Sequence, residues 1–407
     1  MLSVLTAPLS LQLPHAFPQP ERVYGERAPS CVRNARNSVH ACVAGGEALP
    51  QIGAQLEVSD ARSFGRPPAS WWRRAREWTR AIADPTSEAA FAAAYVGGAP
   101  EIVYAARSAH GNGVVTVVSC GPWRCLKFDE VEQGVAYVKQ GTVALTFEYL
   151  RVMAAAALAF GRLQSPAPQR VLCVGLGAAA LPGWLAHHFE IGVEVVELDP
   201  LVARVAEEEL GRQRGGAGYD VVIGDAAAHV RGLRGAGLGC VLLDAFDRDG
   251  ETPAHLLTAD GFLRDAYDAL AAGGTLVVNR FNGVDGSAER AAFAQTAREL
   301  RSAGFAEVYS LGVDGLSVVL VARRAAPGAR RPGRADLQNA ARAAWEAGGL
   351  AGGDGARLVR RLLWVDLAAD GGVSERRPPR ENLARKSCDV MILGEASSAS
   401  PRWMGGS

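Results

Sequence analysis

Four carboxylates stand where apolar runs end, which is where a sheet presents groups to a ligand. Glu197 closes Val193-Glu-Val-Val-Glu197, Asp225 follows Val221-Val-Ile-Gly224, and Asp244 follows Cys240-Val-Leu-Leu243, with Asp247 three residues on. Upstream, Val171-Leu-Cys-Val-Gly-Leu-Gly-Ala-Ala-Ala180 carries an apolar strand into a turn holding Gly175 and Gly177. A glycine turn that opens a helix points backbone N–H groups at a ligand, and the acid at the next strand's tip adds acceptors beside them. Together they suit a nucleotide-like molecule. Each acid also has a plainer reading: a solvated strand tip for Glu197, a helix N-cap for Asp225, a turn former for the Asp244–Asp247 loop.

The elements that must position these residues alternate. Apolar strands are expected at 170–175, 193–198, 220–223, 239–244 and 274–279, with 306–310 and 316–321 closing the series. Helical stretches fall between them at 179–189, 200–210, 226–233, 258–271 and 287–303. That alternation implies a parallel sheet covered on both faces, and Gly312-Val-Asp-Gly315 is short enough to make the last two strands an antiparallel hairpin. Ahead of it, short β-type runs (102–104, 114–118, 124–128, 135–138) read as a small antiparallel sheet, followed by an Ala-rich helix from Thr146 to Phe160 and the linker Ser165-Pro-Ala-Pro168.

Composition narrows the rest. The 407 residues carry 43 basic and 43 acidic side chains, so no global charge draws the chain to nucleic acid. The longest nearly apolar run, Val152–Phe160, is far too short to span a bilayer, and a soluble protein is expected. Seven scattered cysteines show no metal-ligand spacing, and His187-His188 lacks any zinc-type company; no metal site is expected. Residues 1–69, rich in Ala, Ser, Pro and Arg, suit a plastid transit peptide and equally a disordered N-terminus; without such a peptide the protein would be cytoplasmic. Ser70-Trp-Trp-Arg-Arg-Ala-Arg-Glu-Trp-Thr-Arg80 begins a basic aromatic helix, read as a lid or docking helix rather than a membrane-surface one. The expected division is therefore 1–69, a helix with the small β domain at 70–160, the main domain at 161–325, and an extension at 326–407 that is largely disordered from about 369.

The order of motifs resembles the spermidine synthase-like superfamily over roughly residues 110–322. The resemblance is carried by Leu126-Lys-Phe-Asp-Glu-Val-Glu-Gln-Gly134, Phe147-Glu-Tyr149, the glycine turn, Glu197-Leu-Asp-Pro200, Gly224-Asp-Ala226, Leu243-Asp-Ala-Phe-Asp247 and the region Phe262–Asn279. It implies a Rossmann-like class I S-adenosylmethionine (SAM)-dependent methyltransferase fold, a mostly parallel seven-stranded sheet preceded by a small N-terminal β domain. It further implies that Gly175, Gly177, Glu197, Asp225 and Ala226 hold SAM or decarboxylated SAM, with Glu197 on the ribose and Asp225 on the adenine amino group. Asp244 and Asp247 would face the transferring carbon, Asp244 orienting an amine and taking its proton, while Gln133, Glu148 and Tyr149 wall the acceptor side.

Departures from the aminopropyltransferase pattern decide between donors. Ala178 stands where those enzymes place an acid that grips the donor's free amine, Phe147 stands where they usually place a histidine, and Arg248 follows Asp247 where they have proline. Losing one charge-assisted hydrogen bond, about 1.5–3 kcal/mol, shifts donor preference by roughly ten- to a hundredfold. Methyl transfer from SAM to a nitrogen nucleophile is therefore the leading expectation, with a small amine or a protein amine as acceptor. Aminopropyl transfer from decarboxylated SAM, as in polyamine synthesis, is the alternative. A non-catalytic scaffold is the third reading, because Ala178 and Ala179 are bulkier than glycine beside the donor. A NAD(P) dehydrogenase is a distant fourth, and a homodimer is compatible with all of them.

Overall fold

In a computed structural model, residues 84–139, 143–164, 170–211, 218–281, 283, 286–313, 317–367 and 372–378 are described. The expected N-terminal peptide, the Ser70–Arg80 helix and the Ser165–Pro168 linker lie outside them. A short helix, α1 (Glu88–Gly97), leads into four antiparallel strands: β1 (Glu101–Arg107), β2 (Val114–Cys120), β3 (Trp123–Phe128) and β4 (Val131–Tyr137), paired in sequence order. Ser87 starts α1 by accepting the Ala90 N–H.

The expected alternation follows. After α2 (Glu148–Gln164) come β5 (Arg170–Val174), α3 (Ala180–His188), β6 (Gly192–Glu197), α4 (Pro200–Glu208), β7 (Tyr219–Ile223), α5 (Ala226–Gly232) and β8 (Leu238–Leu243). A 3-10 turn at Ala254–Leu257, α6 (Phe262–Ala269), β9 (Leu270–Phe281), α7 (Ala288–Ser302), β10 (Glu307–Gly312) and β11 (Ser317–Arg323) complete the expected set. Strands β7, β6, β5, β8 and β9 run parallel in that order, and β11 and β10 add antiparallel as the hairpin.

The seven-stranded expectation falls short by two. Beyond residue 325 come α8 (Arg334–Ala347), α9 (Gly352–Leu358), β12 (Leu362–Leu367) and β13 (Val373–Arg376), and β12 pairs antiparallel with β10. The result is a mixed nine-stranded sheet, and strand β13 lies past the point where disorder was expected to begin. The physical reason is the bare edge of β10. Leu362-Leu-Trp-Val-Asp-Leu367 has strand character and satisfies that edge's backbone groups.

Burial alternates along the strands as a sheet covered on both sides requires. Val171 and Cys173 face one core with α2, α3, α4 and α8, whereas Leu172 and Val174 face the other with α5, α6 and α7. The run Val152–Phe160 is α2, whose alanines let it lie tightly between the sheet and α8. Among the described residues no helix is long and apolar enough to cross a membrane. Val117, Leu126 and Phe128 of the small sheet join the first of these cores, so the two sheets share packed interior.

Candidate active site

Reversal of strand order between β5 and its neighbours β6 and β8 opens a crevice at the carboxyl ends of the strands. A cleft of about 330 Å³ occupies it. Of the residues singled out from sequence, Gln133, Tyr149, Gly175, Gly177, Glu197, Asp225, Ala226, Asp244 and Asp247 all line this cleft. Glu148 does not. It opens the first turn of α2, one residue away from a Tyr149 ring that stacks on Phe147 at 5.9 Å.

The glycine turn is built by close approach. Gly175 has φ 92°, and a Cβ there would lie 2.6 Å from the Asp244 carbonyl oxygen; its N–H donates to Val196 O at 2.9 Å. Gly177 has φ 51°, and a Cβ would meet Gln133 O at 3.1 Å. The first glycine thus admits the loop after β8, and the second admits the small sheet. Ala179 adopts φ 54°, left-handed backbone that alanine rarely takes, at the entrance to α3. It is buried behind the cleft wall. Ala178 does line the cleft, with a methyl that abuts Gly134 and adds no charge.

Glu197 is 8% exposed. Its carboxylate accepts the Leu176 N–H at 2.8 Å and the Asp199 N–H at 2.9 Å, locking the glycine turn to the end of β6. Burial nevertheless holds it above the usual carboxylate range. The carboxylate also lines the cleft, where acceptor capacity beyond these bonds can meet a ligand's hydroxyls. Asp225 realises the N-cap reading: Oδ1 accepts the Ala228 N–H at 2.8 Å, and Oδ2 lies 3.5 Å from His255 Nε2. Asp247 likewise realises its turn reading. Its Oδ1 accepts the N–H groups of Asp249 and Glu251, and its carbonyl accepts from Gln133 Nε2 at 3.1 Å. Both residues still line the cleft; their carboxylates are partly spent on local structure.

Asp244 differs. Burial pushes its carboxyl up to about 6, against the lowering effect of Asn279, whose Nδ2 donates to Oδ1 at 2.9 Å. Asn279 Oδ1 is buried without a hydrogen-bond partner, pointing to a polar group that the described residues do not supply. Sequence reading placed Asn279 only at a strand end. It also missed the far wall of the cleft, formed by His110, Gly111 and Asn112 of the β1–β2 turn and by Pro253, His255 and Leu256 of the 3-10 turn. The Gly/Asn-rich stretch Ser108–Gly113 announced a turn but not its destination.

A doubly wound α/β domain with an acidic cleft at its switch point, walled by a small antiparallel sheet, is the class of protein these features define. Over 168 residues the chain is 34% identical to the polyamine aminopropyltransferase of Vibrio vulnificus, an alignment covering 39% of this chain and 53% of that protein. The similarity over that stretch is to one protein of the group that the motifs resemble. The match spans only about half of the relative's length. Among solved structures, a probable spermidine synthase from Corynebacterium glutamicum is 20% identical, with a TM-score of 0.47, and the match covers 59% of this chain and 85% of that one. Human methyltransferase-like protein 13, solved with SAH, is 22% identical, with a TM-score of 0.43, over 50% of this chain and 92% of that one. No protein-family model matches the chain.

Proposed function

We propose that the chain transfers an alkyl group from an adenosyl sulfonium donor to an amine, and that aminopropyl transfer from decarboxylated SAM is the reading the cleft supports best. The observation that carries it is charge. Glu197, Asp225, Asp244 and Asp247 line the cleft, and among the described residues no lysine or arginine does. Decarboxylated SAM brings a sulfonium and a primary ammonium but no carboxylate, so every charge it carries is matched. SAM would bring a carboxylate into the same anionic surroundings. The identity to a polyamine aminopropyltransferase supports the same choice. Methyl transfer, the leading expectation from sequence, keeps one specific support: uncharged Ala178 lines the cleft where an acid would grip the decarboxylated donor.

The residues present fit such a donor. Gly175 and Gly177 line the cleft with backbone alone, Glu197 lines it with a carboxylate for ribose hydroxyls, and Leu198 and Leu256 supply apolar contact for a base. Asp225 would accept from the adenine amino group through the oxygen now facing His255. In the transfer, the amine's lone pair forms the new C–N bond as the C–S bond breaks, and sulfur leaves as a neutral thioether. Asp244, beside the reacting carbon, holds the positive charge as it moves from sulfur to nitrogen and takes the amine's proton as the C–N bond forms. A carboxylate also stabilises the protonated, non-nucleophilic amine, so the proton must leave before or during transfer. Holding donor and amine in line supplies much of the rate, because the sulfonium is already a good leaving group.

Calorimetric titration with SAM and with decarboxylated SAM tests this, followed by mass analysis of products formed from a diamine. Tighter binding of the decarboxylated donor and a mass gain of one aminopropyl group are expected, with Asp244→Asn reducing turnover at least about a hundredfold while donor binding persists. Preference for SAM with a methyl gain would replace the reading by methyl transfer. Binding of neither would leave the scaffold.

A further inference from the structure

Asp199 is 1% exposed, although it lies only two residues beyond the cleft acid Glu197. What buries it comes from the other sheet. Ser108 Oγ donates to Asp199 Oδ2 at 2.5 Å and Asn112 Nδ2 donates to the same oxygen at 3.0 Å, while Oδ1 accepts the Leu201 N–H at 2.9 Å and caps α4. Ser108 is itself organised: its hydroxyl accepts the His110 N–H at 2.9 Å, and its N–H donates to Gly113 O at 2.9 Å. One buried carboxylate therefore fastens both ends of the Ser108–Gly113 turn to the first turn of α4. His110, Gly111 and Asn112 of this turn line the same cleft as Glu197 and Leu198.

We infer that Ser108, Asn112 and Asp199 form a clasp that roofs the donor end of the cleft, making Asp199 a positioning residue and placing His110 and Gly111 against the bound adenosyl group. The inference rests on the adenosyl-donor reading above. Its chemistry is direct. Asp199 also gives its N–H to Glu197 Oε1, so the residue that holds the roof also orients the acid assigned to the ribose. Hydrogen bonds to a buried carboxylate are stronger than neutral ones, and removing both donors strips Oδ2 of its side-chain partners. The donor must pass the roof to leave, so the clasp acts on dissociation more than on chemistry.

The test uses the full chain and its Ser108→Ala/Asn112→Ala double variant, with stopped-flow dissociation of SAM and of decarboxylated SAM and turnover at saturating donor. Loss of two charge-assisted bonds should speed donor dissociation by about tenfold or more. Saturated turnover should fall much less, and Ser108→Thr, which keeps the hydroxyl, should retain slow release. Backbone hydrogen exchange at 109–113 should accelerate in the free double variant and slow when donor binds. A double variant with wild-type dissociation and exchange would overturn the clasp while leaving the transferase reading intact. Failure of the unaltered chain to bind either donor would overturn both. A loss in which dissociation and saturated turnover change equally, with a lowered Tm, would make the contact merely structural and also overturn it.

Discussion

Asp244 works against the stability of its own fold. Burial raises its carboxyl to about 6, so the folded chain prefers it protonated, yet holding a sulfonium and accepting a proton both require the anion. Two pH dependences of opposite direction follow. kcat/KM should rise with pH through about 6 and level above it, as the anion forms. Because the folded value exceeds the unfolded one, Asp244's favourable contribution is full below the ordinary aspartate range of about 3.9 and is lost as pH rises through about 6. Asp244→Asn should therefore raise Tm at pH 8, and the gain should shrink toward pH 4. Asn279→Leu removes the bond that lowers the carboxyl, so the midpoint of the activity profile should move up, read from pH-rate curves. An unmoved midpoint would remove Asp244 as the titrating group.

At the scale of single elements, the strand-to-helix junctions were the most legible part of the chain. Each encodes its role locally: an apolar strand, then a glycine or an acid, then a helix, so Gly175, Glu197, Asp225 and Asp244 could be assigned to one crevice before any contact was known. What stayed hidden depends on approach from a distance. Gly177 reads as a ligand glycine, but its missing side chain admits the Gln133 backbone. Asp199 reads as the tail of an acidic tip, yet its partners lie some ninety residues earlier, in a turn whose own sequence says only that it bends. Asp225 and Asp247 carried two readings each, and local hydrogen bonding chose the plainer one without removing either from the cleft. The junction logic makes Gly175→Ala a strong test. A left-handed φ and a Cβ 2.6 Å from the Asp244 carbonyl should lower stability by more than about 1 kcal/mol, read as a lower Tm, and should displace Asp244 enough to weaken donor binding.

For the whole molecule, the two strands that follow residue 325 matter most. A main domain ending there leaves β10 with an open edge and α2 with an uncovered outer face. Instead, β12 pairs along β10 through Tyr309–Trp364, Ser310–Leu363 and Leu311–Leu362. Leu337, Ala341 and Trp345 of α8 join the buried core that contains α2. Arg331 lies between the Tyr309 and Trp364 rings, 4.9 and 4.2 Å from their centroids, and ties the two strands together from the side. Ending the chain after Ala325 should therefore lower Tm by well over ten degrees or yield aggregates on size-exclusion chromatography. A truncated chain as stable as the full one would return β12 to the status of an appendage.

That late strand also sets an order of events during synthesis. Once β10 and its hairpin partner β11 have left the ribosome, the other edge of β10 stays unpaired until β12 follows. A nascent chain in that interval exposes a template on which another copy could pair. Completion of the sheet is thus postponed until nearly the last described segment has emerged, and the interval before β12 clears the ribosome should be the one in which this protein is most dependent on chaperones.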